Sequence, residues 1–127
     1  MSAAIINVKV FNNLLTDFLN FLESNFPMYS SDIKLSKSMV DIIKLNNPRL
    51  VVEQFMKNIS PYKTQILDCN ESFFLDFEKT IKISSNNLIQ GLKIKNVWTD
   101  PNTTKHQKAY IWLYFQKLIK SGERALV

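Results

Sequence analysis

Only two Gly and four Pro occur in 127 residues. That is too few breakers for the tight turns that a β-sandwich or barrel needs at its strand ends. The lone cysteine, Cys69, cannot close an internal disulfide and suits a reducing compartment. The lone histidine, His106, leaves too few ligands for a zinc site of usual composition within one chain. Gly91 and Gly122 stand far apart, so no Gly-rich phosphate loop exists. The N-terminal apolar stretch has no basic n-region and is broken by Asn7, Lys9, Asn12, Asn13, Asp17 and Asn20. Neither a signal peptide nor a membrane span is expected there. Together these absences predict an intracellular protein, in cytosol, nucleus or a particle, with no membrane contact, no cofactor and no metal.

What remains is ample for a core. Hydrophobic residues make up 46% of the chain, nine of them Phe, and charged residues only 21%. A disordered chain does not look like this, and the length suits one domain, 1–127. Charge is unevenly distributed. Residues 1–78 hold seven Lys/Arg against nine Asp/Glu, a balance of −2. Residues 79–127 hold nine against two, a balance of +7. The C-terminal half therefore carries an electrostatic footprint that an acidic protein or a phosphate backbone would satisfy.

Apolar spacing is helical along most of the chain. Over 8–26, Val8, Phe11, Leu14, Leu15, Phe18, Leu19, Phe21, Leu22 and Phe26 form the strongest amphipathic pattern, with 11–26 inside an arc of roughly 160°. Pro27 ends it. Ser30, Ser31 and Asp32 offer N-caps for a second helix whose expected core stripe is Leu35, Met39, Ile42 and Ile43. Asn47-Pro48 starts a third helix, lined by Val51, Val52, Phe55, Met56 and Ile59. Ser60-Pro61 closes it and opens a short fourth through Ile66 and Leu67. Phe73, Phe74 and Phe77 read as a short helical plug in the core. Residues 79–98 are ambiguous. Ile81-Lys82-Ile83 and Leu92-Lys93-Ile94-Lys95 alternate as strands do, so a minor β-hairpin near 81–95 is the alternative to a helix broken near Gly91. Thr99-Asp100-Pro101 signals a last helix, with Thr103 and Thr104 as further caps, running to a stop at Gly122. The fold predicted is all-α, a compact bundle of about five to seven short helices.

Catalytic constellations are sparse. Cys69 and His106 could pair as nucleophile and base, but Asp68 and Glu71 beside the thiol would raise its pKa. The acidic cluster of Asp68, Glu71, Asp76 and Glu78 reads as solvated surface around the aromatic plug. The expectation is a protein that is no enzyme and works by binding. Its predicted contact surface is the basic side of the last helix: Lys105, Lys108, Lys117, Lys120 and Arg124, with Leu113 among them. Lys93 and Lys95 lie just before it, and Trp98, Tyr110 and Trp112 are interleaved. Such a mixture serves a protein partner, or nucleic acid with Lys on phosphates and rings for stacking. Arg, the residue of bidentate base contacts, occurs only at Arg49 and Arg124, which favours the protein partner. Trp98 and Trp112 are assigned to the core. The helix pair 8–26 and 32–46 is a second candidate surface, a dimer or assembly interface if a small bundle leaves some of its bulky apolar residues uncovered; that they build the core is the favoured reading.

The tail IKNVWTDPNTTKHQKAYIWLYFQKLI, through Trp98, Lys105, Lys108, Ile111, Trp112, Tyr114, Gln116 and Leu118, resembles the C-terminal helices of small proteins encoded by nucleocytoplasmic large DNA viruses. The opening FNNLLTDFLNFLESNFP, through Phe11, Leu15, Phe18, Leu22, Phe26 and Pro27, is similar to theirs as well. This resemblance covers about a third of the chain and carries no catalytic or binding residues over. It implies a viral protein of the virion or the infected-cell cytoplasm, with a structural or regulatory role.

Overall fold

The computed structural model describes residues 3–75 and 94–127. Among them the chain is helical, with no strand. Helix α1 spans Ala3–Asn25 and ends where Phe26 leaves the helical region ahead of Pro27 (φ −129°, ψ 69°). A 3₁₀ turn, Pro27–Tyr29, leads into α2, Ser30–Asn46. Asn47 is extended, and Pro48 opens α3, Pro48–Ile59, its missing N–H being no loss at a first helical position. A second 3₁₀ turn, Ser60–Tyr62, precedes the short α4, Lys63–Leu67, and α5, Ser72–Leu75. Beyond residues 76–93 come α6, Ile94–Thr99, and α7, Lys105–Ala125. The all-α expectation is met. Of the β-hairpin near 81–95, Ile94 and Lys95 begin a helix; the rest, like Phe77, lies outside the described residues.

The two long helices, α1 and α7, share the most extensive contact in the molecule. They run antiparallel. Asn7, near the start of α1, donates to the Arg124 carbonyl near the end of α7, while Gln107 at the start of α7 reaches Asn25 Oδ1 at the end of α1. Those anchor points are 18 and 17 residues apart, so the two helices match over about 27 Å. Helices α2 and α3 pack on this pair, and α4 to α6 close one side.

Phenylalanine fills the space between these elements. Phe115 is buried on α7 and meets Phe18 of α1 (5.3 Å between ring centroids), Phe55 of α3 (6.4 Å), and Phe73 and Phe74 of α5 (5.8 and 5.5 Å). Phe74 also stacks on Trp98 at 4.3 Å and touches Trp112 at 4.4 Å. Both Trp are buried. The Trp98 indole N–H donates to Glu71 Oε1 at 2.9 Å, which satisfies the polar edge of an otherwise apolar ring. They are core anchors, as their sequence setting suggested.

Four local expectations need correction. On α2 the fully buried positions are Ile33, Ser36 and Val40, while Leu35 and Ile42 face solvent; Met39 and Ile43 are partly buried. The helix carries two apolar stripes, and packing against α1 and α3 selects the weaker-looking one. The side chains of Ser30, Ser31 and Asp32 do not cap α2, whose N-cap position is Tyr29. The last helix starts after Pro101, at Lys105. Thr104 accepts from the Gln107 N–H at 3.1 Å and its own N–H donates to Gln107 Oε1 at 2.9 Å, a capping box. That helix also runs through Gly122 to Ala125. Gly122 is there because α3 crosses closely: a Cβ at this position would collide with the Met56 side chain.

Cys69 is exposed and has a positive φ of 53°. It terminates α4. The Cys69 N–H donates to the Ile66 carbonyl at 3.2 Å and the Asn70 N–H to the Gln65 carbonyl at 2.8 Å. These are the two bonds of a Schellman C-cap, with Cys69 in the left-handed position that normally belongs to glycine. Its Cβ is strained there. Cys69→Gly is expected to stabilise the domain by up to about 1 kcal/mol, read as a higher urea midpoint. A lower midpoint would mean that the Sγ contact with Gln116 Nε2, at 3.5 Å, outweighs the backbone strain.

Candidate interaction surfaces

The basic residues of α7 divide by helix geometry. Lys105, Leu113, Lys117, Lys120 and Arg124 are exposed and share one side of the helix, within an arc of about 120° at 100° per residue. Lys108 does not join them. Its ammonium lies 4.8 Å from the centroid of the Trp98 ring, a cation–π contact on the other flank that covers the aromatic core. Of the acids in the C-terminal half, Glu123 is held by Lys63 at 2.8 Å and Asp100 accepts from the Tyr29 hydroxyl at 3.3 Å. Lys93 lies outside the described residues, and Lys95 on α6 is half-buried.

Two tyrosines titrate above their ordinary range. Burial pushes the Tyr114 hydroxyl up, and Asp17 and Tyr110 add to it; the ring packs on Phe18 and Phe21 at 5.1 and 5.5 Å. Burial also raises Tyr29, with the charge and hydrogen bond of Asp100 reinforcing the shift. In both cases a neighbouring carboxylate opposes the phenolate. Both residues brace the α1–α7 end of the bundle.

The structure does not unite Cys69 with His106. Cys69 is held against Gln116, whereas His106 stands ten residues earlier on α7, against the Tyr110 ring, about 15 Å away along the axis. The acidic cluster is also divided: Glu71 is bonded to Trp98, Asp68 is on the surface, and Asp76 and Glu78 lie outside the described residues. Among the described residues no group of three His, Cys, Asp or Glu is placed to hold a metal ion. No described helix is long and apolar enough to cross a membrane.

The most prominent surface feature is on α2. Leu35, Ile42 and Leu45 are 64%, 60% and 87% exposed. They stand at spacings of seven and three, a single ridge along a helix about 25 Å long. Met28, in the preceding 3₁₀ turn, is also exposed. Ser31 and Ser38 separate the bulky side chains on the same side, and Lys34 and Asp41 flank the ridge on one edge. Reading the sequence assigned Leu35 and Ile42 to the core. The signal available was that 30–46 holds two apolar stripes where a helix packed on one side needs one.

The architecture defines the class: an all-α bundle of two long antiparallel helices with shorter ones packed around them. Against protein-family models, curated protein sequences and solved structures, the chain finds no match.

Proposed function

We propose that the protein is a non-enzymatic helical interaction module that associates with a second copy of itself through the outer ridge of α2. The observation carrying this reading is the exposure of Leu35, Ile42 and Leu45 in line on a well-formed helix. Three large aliphatic side chains in one stripe are a feature that solvent-facing helices avoid. A second copy fits the charges. Lys34 and Asp41 have opposite sign, lie seven residues apart and share one edge of the ridge. Pairing α2 with its copy antiparallel about a two-fold axis sets Lys34 against Asp41 of the second copy, twice. The same axis puts Leu35 over Ser38 and Ile42 over Ser31 of the second copy, large against small. An interface centred on one helix is small, so dissociation on the order of 1–100 μM is expected.

Sedimentation equilibrium tests the register as well as the association. Lys34→Asp sets like charges across the axis and should weaken the dimer by about 2–10-fold, given two exposed pairs. Adding Asp41→Lys restores opposite signs and should recover the loss. A mass that stays monomeric up to about 1 mM, or a double variant as weak as the single one, counts against the second copy as occupant.

A second reading rests on the exposed cations of α7. Lys105, Lys117, Lys120 and Arg124 share one exposed side of α7, where Glu123 is engaged by Lys63, an arrangement suited to nucleic-acid phosphates. It expects DNA or RNA binding whose affinity falls by at least tenfold between about 50 and 200 mM salt. Anisotropy with a labelled oligonucleotide measures it, and a Lys117→Glu, Lys120→Glu, Arg124→Glu variant that binds equally well removes this reading. Placement in a virion or an infected cell is part of the same proposal and is supported by the resemblance alone.

A further inference from the structure

The antiparallel pair α1 and α7 presents one outward face to solvent. On α1, Ile6, Val10, Asn13 and Asp17 are exposed and fall within an arc of about 60° at 100° per residue. On α7, Tyr110, Leu113, Lys117, Lys120 and Arg124 are exposed, within an arc of about 80°. Both stripes border the outer side of the seam between the two helices. Tyr110 packs on Phe21 of α1 at 5.7 Å, and the Asn7 side chain donates to the Arg124 carbonyl at 3.5 Å. That register sets Ile6 and Val10 beside the last turns of α7, from which Lys117, Lys120 and Arg124 project.

The face is apolar and cationic at once. Ile6, Val10, Tyr110 and Leu113 are 49%, 52%, 45% and 42% exposed. Lys117, Lys120 and Arg124 form no ion pair among the described residues. Asp17 is the one acidic side chain in the two stripes, against three cations, and Glu123 at the margin is turned to Lys63. The phosphates of a nucleic acid would engage the cations and leave the aliphatic side chains in water. A bilayer carrying anionic lipid meets both needs. Its headgroups face the cations, and its acyl boundary takes up the aliphatic side chains and the Tyr110 ring.

We propose that the α1–α7 face docks on the surface of an anionic lipid bilayer, with the helix pair lying in the plane of the headgroups. The expectation of no membrane contact rested on the lack of a spanning segment. Among the described residues no helix is long and apolar enough to cross a membrane, and surface attachment requires none. The claim is independent of self-association through α2. It calls on the same cations as nucleic-acid binding and differs from it in using Ile6 and Val10.

Co-sedimentation of the full chain with lipid vesicles tests it. Phosphatidylcholine vesicles containing phosphatidylserine should bind the protein at least about tenfold more strongly than phosphatidylcholine alone, and added salt should narrow the difference. Ile6→Ser with Val10→Ser should weaken binding to the anionic vesicles by about 5–20-fold, with the urea midpoint unchanged. Lys120→Glu with Arg124→Glu should weaken it by at least about tenfold. The comparison of the two vesicles on the unaltered chain needs no variant to fold. Equal binding to both, or binding to neither, overturns the proposal. An Ile6, Val10 variant that binds anionic vesicles as well as the unaltered chain overturns it too, because the cations then act alone, as they would on nucleic acid. Binding that Ile42→Lys abolishes would place the lipid on the α2 ridge and is equally fatal to it.

Discussion

Replacing Phe115 with alanine is expected to destabilise the domain by about 3–5 kcal/mol, the largest single-residue effect in the molecule. Among the described residues Phe115 is the one ring that meets α1, α3 and α5 at once, through Phe18, Phe55, Phe73 and Phe74. Its removal leaves a cavity walled by other rings, each held by its own helix and none free to collapse into the space. Edge-to-face contacts with Phe18, Phe73 and Phe74 are lost together with the apolar burial. A domain of this size has roughly 5–15 kcal/mol in total, so the loss is a large share of it. The melting temperature should fall by roughly 10–20 °C. Leu113→Ala, on the exposed side of the same helix, should stay within about 0.5 kcal/mol. A loss under about 1.5 kcal/mol at Phe115 would show that the aromatic cluster repacks, and that α5 is not held by it.

Placing two lysines on the α2 ridge, Leu35→Lys with Ile42→Lys, is expected to abolish self-association while leaving the fold intact. Both side chains are mostly solvated in the single chain, so the change removes little intramolecular packing. Lysine is also at least as good a helix former as isoleucine. In the dimer the same substitutions put four buried ammonium groups across a two-fold axis. Desolvation and repulsion together should weaken association by at least about 100-fold. The pair of readouts separates the readings. If these residues belonged to the core, as periodicity suggested, the double variant would unfold. If they belong to an interface, mass falls to the monomer and the urea midpoint holds within about 1 kcal/mol. An unchanged mass together with an unchanged midpoint would leave the ridge without a role and defeat the proposed function.

Much of the architecture was legible from neighbours in the chain. The scarcity of Gly and Pro, the helical spacing through 8–26 and 48–59, and the stops at Pro27 and Asn47-Pro48 all act within a turn or two. The stops stand where they were read, while α1 begins at Ala3, ahead of the expected Val8. The Phe73-Phe74 plug and the two buried Trp followed from size and apolarity alone. The misreading of the α2 core has a cause outside the local chain. Leu35 and Ile42 against Ile33 and Val40 is a choice between two apolar stripes of one helix, and no local rule makes it.

The candidate surfaces were less legible than the core. Lys105, Lys117, Lys120, Arg124 and Leu113 were placed on one side by counting, because a helix alone groups them. The same counting sets Lys108 outside that arc, and only the structure shows Trp98, from another helix, beneath its ammonium. Helical class, the stops at Pro27 and Asn47-Pro48 and total apolar content are properties of short stretches, and the order of residues settles them. Which side of α2 turns inward and which cations remain in solvent depend on packing free energy between distant segments. Only burial against α1, α3 and α7 chooses among alternatives that the chain, taken locally, offers at nearly equal cost.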